Sequence, residues 1–228
     1  MPAKPPFIVT LDGPAGVGKT TLARRVAEAL SIAYLDTGAM FRTMAYRLGA
    51  DAASLPEHEL HTRLASFVFT LAGSGAQSTL SCNGVVIGDE IRTETVALMA
   101  SRLAAVPVVR QCLKEAQQGL GGVQSLVVEG RDMGTVVFPA ARYKVFLDAS
   151  PEIRAARRYE QLASKGETPD LAELTEQIRQ RDEQDRNRAV APLRPAEDAH
   201  IVDTSHLDID GVFHAIMGYI ASRNGSVA

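Results

Sequence analysis

Apolar positions along this chain follow two rhythms. Compact apolar runs stand at residues 7–11, 32–35, 125–128, 143–147 and 200–202, the first of them rich in β-branched side chains, and each reads as a strand. Between the runs, apolar residues return every three or four positions, the stripe of a helix packed on one face. Leu22, Val26, Ala29 and Leu30 predict a helix opened by Lys19; Phe41, Met44, Ala45 and Leu48 predict a second that leaves Arg42 and Arg47 off its buried stripe. Two more are expected at 94–105 and 107–120, the latter with Pro107 in its first turn and Arg110 beside the stripe of Val109, Cys112, Leu113 and Ala116. Ser150 and Pro151 cap and open a helix displaying Arg154, Arg157 and Arg158, and Val212, Ile216 and Ile220 mark a closing helix. Five strands alternating with helices predict an α/β fold, a parallel sheet with right-handed crossovers and helices on both faces.

Two stretches depart from this alternation. Residues 51–92 begin with a helical segment, turn into a strand at 67–71, pass a flexible loop at 73–78 and form a hairpin at Asn83-Gly84. They predict a small β-rich insert that closes over a second ligand. Residues 153–188 carry two arginine-bearing helices around a flexible break at 164–169. By spacing alone the second is a solvated face laced with pairs such as Asp182 with Arg186; the alternative is a lid that clamps anions. The expected organisation is a loose tail over residues 1–6, not a signal peptide, and one domain over residues 7–224.

Chemistry enters where the first strand hands over to the first helix. Gly13, Pro14, Ala15, Gly16, Val17, Gly18, Lys19, Thr20 and Thr21 satisfy G-x-x-x-x-G-K-[ST] at every fixed position, in the strand–loop–helix setting the motif requires. Glycines allow the backbone to turn its N–H groups toward phosphate oxygens, and the helix start adds positive potential. Lys19 is expected to reach the β- and γ-phosphates of a nucleoside triphosphate, and the Thr20 hydroxyl to hold Mg²⁺. The fold is therefore of the P-loop NTPase type.

Composition changes this picture little. At 228 residues and a net charge of −3 the chain has room for one substantial core and no general attraction to nucleic acid or membrane. Cys82 and Cys112 match no metal spacing and read as reduced packing residues, and His58, His61, His200, His206 and His214 form no ligand or triad pattern. No apolar run is long enough to span a bilayer, and the expectation is a cytoplasmic protein.

A second set of candidates lies at strand ends. Thr37 and Arg42 follow the second strand, where open α/β sheets bind ligands, although Thr37 would equally serve as a helix cap. Glu129-Gly130-Arg131-Asp132 ends another strand, and its adjacent Arg131 and Asp132 are either a structural ion pair or a phosphate contact and a reader of a donor group. Ser101 and Arg110 read as surface residues by spacing alone.

With these motifs and the run Arg181-Asp182-Glu183-Gln184-Asp185-Arg186-Asn187-Arg188 in view, the chain resembles the bacterial cytidylate kinases from Phe7 to about Ile220. The resemblance implies transfer of the γ-phosphoryl of ATP to CMP or dCMP with Mg²⁺, by a monomer with an enlarged acceptor-binding insert and a helical lid. It implies that Thr37, Arg42, Arg131 and Arg188 hold the acceptor's phosphate, that Ser101, Arg110 and Asp132 read the cytosine edge, that Asp185 and Arg181 bind the sugar hydroxyls, and that Asp36 belongs to the same CMP-binding set. Lid arginines Arg157 or Arg158 would join Lys19, Arg131 and Arg188 in catalysis. Phe41 stands where tyrosine is common and is assigned no polar role. A kinase for UMP or dTMP and a nucleotide-binding switch remain open beside this reading; no Asn-Lys-x-Asp guanine motif supports the switch.

Overall fold

A computed structural model describes residues 5–224. Of the tail expected at 1–6, residues 1–4 lie outside the described residues; Pro5 and Pro6 are exposed and belong to no regular element.

The elements run β1 (Ile8–Asp12), α1 (Lys19–Leu30), β2 (Ala33–Asp36), α2 (Thr37–Leu48), α3 (Glu57–Leu64), β3 (Phe69–Ala72), β4 (Thr79–Cys82), β5 (Val85–Val86), α4 (Glu94–Leu103), α5 (Pro107–Val123), β6 (Leu126–Gly130), β7 (Tyr143–Asp148), α6 (Pro151–Ala163), α7 (Leu171–Arg186), β8 (His200–Asp203) and α8 (Ile209–Asn224). The main sheet has the order β2-β6-β1-β7-β8, and every pairing in it is parallel. Its strands alternate their side chains between two cores. Leu126 and Val128 join Leu35, Met40, Met44, Val109 and Leu113 on the α2 and α5 face. Val127 joins Val9, Leu11, Leu22, Val26, Val212 and Ile216 on the α1 and α8 face. This period of two is what a sheet covered on both sides demands.

Strand order places the site. The chain leaves β1 toward β2 on one side and leaves β6 toward β7 on the other, so a crevice opens where β1 and β6 lie side by side. The register sets Asp12 opposite Gly130 and Asp36 opposite Glu129, and the carboxyl ends of three strands therefore line up along that crevice.

Residues 69–86 form a separate antiparallel sheet, β3-β4-β5. Asn83 and Gly84, at φ 54° and 75°, make its two-residue turn with the positive angles such a hairpin needs. The loop at 73–78, expected to be flexible, is instead docked on the main domain. Gly75 N–H donates to Ile32 O (2.8 Å), Ala76 N–H to Glu28 Oε2 (2.8 Å), and Tyr34 N–H to Ser78 Oγ (2.8 Å). The reason is that β2 is an edge strand, and its neighbourhood offers backbone groups the loop can satisfy.

Among the described residues no single helix is long and apolar enough to cross a membrane. The pair α4 and α5 passes by length and composition together but bends by 100°, and its Leu103, Val109 and Leu113 lie in the core.

Candidate active site

The phosphate loop occupies the turn from β1 to α1. Gly13, Gly16 and Gly18 have φ of 150°, 78° and 90°, angles that side chains rarely adopt. A Cβ on Gly13 would lie 2.2 Å from the Leu147 carbonyl oxygen of β7, so glycine is required there by space as well. Ala15, Gly16, Gly18, Lys19, Thr20 and Thr21 line a cleft of about 450 Å³, whereas Val17 is buried beneath the loop. Lys19 folds over the loop, donating to Gly13 O (2.8 Å) and Pro14 O (2.6 Å). Burial and then the nearby Arg131 guanidinium hold its ammonium well below the usual lysine range, against the opposing pull of Glu129 and Asp12. An anion in the cleft would relieve that penalty.

Across the crevice, α2 starts at the end of β2. Asp36, not Thr37, is its cap: Asp36 Oδ1 accepts from Ala39 N–H (2.8 Å), and Oδ2 accepts from Arg42 Nη2 (2.9 Å). Thr37 occupies the next position, and its buried hydroxyl donates to Glu129 O (2.7 Å), locking α2 to β6.

The end of β6 carries Arg131 and Asp132, which do not pair with each other. Arg131 Nε donates to Asp185 Oδ2 (2.8 Å) of α7, and Asp132 receives the Arg110 guanidinium from α5. Arg110 thus faces the cleft and not the surface, because Val109 and Leu113 on its own helix are packed into the core behind it. Asp36, Thr37, Arg42, Ser101, Arg110, Arg131, Asp132, Arg181, Asp185 and Arg188 all line the same cleft.

The electrostatics of this wall are those of a receptor for anions. Burial, then the Arg131 charge, lowers Arg181; burial, then Arg110 and Arg131, lowers Arg188, with carboxylates offsetting part of each. Burial pushes the Asp185 carboxyl up, but Arg131, Arg188 and Arg181 outweigh it and hold the group below the usual range. Arg42 Nε and Arg188 Nη2 are buried with no hydrogen-bond partner, the nearest carboxylate oxygen to the latter being Asp185 Oδ1 at 3.8 Å. Two orphaned guanidinium donors beside a phosphate loop are costly unless a ligand satisfies them.

Three expectations are corrected. Arg157 Nη1 donates to Thr204 Oγ1 (3.0 Å), and Arg158 Nη1 to Gln161 Oε1 (2.9 Å); neither lines the cleft, because each is held by a neighbour on or behind α6. Asp182 does not pair with Arg186 but turns inward to Arg154, at 3.0 Å from Nη1. Arg186 instead approaches Asp148 at 3.8 Å.

Sequence reasoning assigned no role to three side chains of the site. Glu129, buried at the end of β6, accepts from Tyr34 OH, and burial foremost pushes its carboxyl up. Asp12 accepts from the N–H groups of Met133 (2.9 Å) and Gly134 (2.7 Å), tying the start of the phosphate loop to the segment after Asp132. Arg92, from the insert, lines the cleft and lies 3.9 Å from Asp36. Charged letters closing an apolar strand were the available signal for Asp12 and Glu129.

The donors present suit Mg²⁺. Thr20 in the first turn of α1 and the carboxylates of Glu129 and Asp36 face one space, and hydroxyl and carboxylate oxygens are the ligands a hard cation takes. Among the described residues no group of three or more His, Cys, Asp or Glu is placed to hold a metal ion by itself.

A model of the family described as cytidylate kinase matches residues 9–222. A cytidylate kinase of Nitratidesulfovibrio vulgaris is 73% identical over 218 residues, spanning 96% of this chain and 94% of that protein. A cytidylate kinase of Oleidesulfovibrio alaskensis is 66% identical over 211 residues, spanning 92% and 96%.

Proposed function

The chain belongs to the cytidylate kinase family, and from that premise we infer that it transfers the γ-phosphoryl group of ATP to CMP or dCMP, giving ADP and CDP or dCDP. One observation carries the reading: a glycine-rich phosphate loop and the guanidinium groups of Arg42, Arg131, Arg181 and Arg188 share one cleft, with donors on Arg42 and Arg188 left unpaired.

The loop amides and Lys19 bind the donor's phosphates; Lys19 exchanges its two loop carbonyls for phosphate oxygens as the nucleotide enters. Thr20, with the Glu129 and Asp36 carboxylates nearby, would hold Mg²⁺, which would supply charge neutralisation for the donor's phosphates. Thr37, Arg42, Arg131 and Arg188 hold the acceptor's phosphate in line with the donor, which is most of what phosphoryl transfer asks of a protein. That phosphate is already ionised, so no general base is required. Ser101, Arg110 and Asp132 read the base, and Asp185 with Arg181 the sugar hydroxyls. Cytosine presents an amine donor to Asp132 where uracil presents a carbonyl oxygen, and a buried carboxylate facing an oxygen costs roughly 1–3 kcal/mol or more. Residues 51–92 form the cover on the acceptor side and 153–188 the lid, excluding water from the transfer. The protein works as a monomer in the cytoplasm, without nucleic acid or membrane; its two free thiols suit a reducing compartment.

A coupled ADP-release assay over CMP, dCMP, UMP, dTMP and AMP tests this. CMP should exceed UMP by about tenfold to a hundredfold. Equal rates on CMP and UMP reject the base assignment, and slow ATP hydrolysis indifferent to every monophosphate overturns the kinase reading.

A further inference from the structure

Arg154 is 1% exposed, and its polar links land on three separate parts of the machinery. Nε donates to Ala149 O (2.9 Å) at the foot of α6; Nη1 donates to Ala15 O (3.0 Å) in the phosphate loop and to Asp182 Oδ1 (3.0 Å) on α7; Nη2 donates to the other Asp182 oxygen. The stem of the side chain also packs on the loop, since a Cβ on Gly16 would lie 3.4 Å from Arg154 Cβ. A peptide unit is planar and trans, so drawing the Ala15 carbonyl toward Arg154 turns the Gly16 N–H the opposite way. On the other side Asp182 sits directly after Arg181 and one turn before Asp185, both of which line the acceptor half of the cleft. A forked guanidinium–carboxylate pair fixes angle as well as distance, so Arg154 and α7 move together, and a shift of the loop must carry both with it or break the buried bond to Ala15 O.

We propose that Arg154 and Asp182 are positioning residues that couple the two substrate sites: the donor nucleotide, by setting the loop, raises the affinity of α7 for the acceptor, and the acceptor does the same for the donor. The coupling is reciprocal by thermodynamic necessity. Neither residue touches a substrate. The inference rests on the reading of the cleft as a two-substrate kinase site.

Calorimetric titration of the full chain with CMP, alone and with a β,γ-imido analogue of ATP, measures the effect. The unaltered protein should bind CMP about fivefold or more tightly when the analogue is present. Asp182→Asn and Arg154→Lys should bring that gain to about twofold or less while the affinity for CMP alone stays within about threefold, a split that general loosening of the fold would not produce. Because removing one partner leaves a buried charge, the double variant Arg154→Met/Asp182→Leu keeps the volume without the charges and is the decisive one. A folded double variant that retains the full gain overturns the link, as does an unaltered protein that shows no gain. A protein that binds both nucleotides with a gain yet forms no CDP leaves the link standing and removes the kinase reading instead.

Discussion

The Arg110 guanidinium donates to the Asp132 carboxylate at the end of the cleft, although 22 positions separate the two residues. One comes from the first turn of a helix and the other from the loop after a buried strand, and their pairing gives a buried carboxylate a fixed direction while leaving it capacity to accept from a ligand. Replacing Asp132 with Ala should therefore narrow the ratio of CMP to UMP turnover (kcat/KM) by about tenfold or more, with ATP affinity preserved. A ratio equal to that of the unaltered protein would take Asp132 out of base reading.

Arg188 carries a buried Nη2 with no partner and stands 3.8 Å from Asp185. Its Nε donates to Asp185 O (3.4 Å), which leaves Nη2 as the donor that an acceptor phosphate in the cleft would satisfy. Arg188→Ala should lower kcat by about 10³-fold with little change in thermal stability, and Arg188→Lys should restore little, because a point charge does not replace two parallel donors. A rate within tenfold of the unaltered enzyme argues against the assignment.

Asp12 gives the protein a pH dependence. Burial pushes its carboxyl from 3.8 up to about 6, against the bonds it accepts from Met133 and Gly134 and the pull of Lys19. The folded state then binds the proton more tightly than the unfolded chain. The stability this group contributes is full below about pH 4 and is lost as pH rises through 6. Urea titrations at about pH 4 and pH 7 should show the unaltered protein losing roughly 2 kcal/mol more than Asp12→Asn over that span. Parallel losses would assign the pH effect to other groups.

At Gly13 the loop is hemmed in by β7. A methyl group would meet the Leu147 carbonyl oxygen at 2.2 Å with φ at 150°, and no rotamer relieves a clash that involves only backbone and Cβ. Gly13→Ala should cost more than about 2 kcal/mol and lower the thermal midpoint by about 5 °C or more. A midpoint within a degree of the unaltered protein would mean that β7 yields at that point.

Much of this molecule was legible before folding because the requirements were local. The phosphate loop needs positive φ at fixed positions followed by a lysine at a helix start, and Gly13, Gly16, Gly18 and Lys19 state that requirement within seven letters. The strands announced themselves by short apolar runs, and the Asn83-Gly84 turn by a residue pair that readily takes both positive angles. Asp182, by contrast, had a plausible partner four residues away in Arg186 and took one 28 residues back in Arg154. Tyr34 and Glu129, 95 positions apart, meet only because β2 and β6 are neighbours in the sheet.

By itself, then, the order of residues determined which segments became strands and helices, where a triphosphate would be gripped, and which arginines were available for a second anion. It left undecided which of those arginines would face inward: Arg110 turned from a surface candidate into a wall of the cleft, while Arg157 and Arg158 turned away from it. The physical reason is that a guanidinium takes any acceptor within reach of its long stem, and which acceptors are in reach depends on how β2, β6 and β1 align their carboxyl ends and on where α5, α6 and α7 then pack.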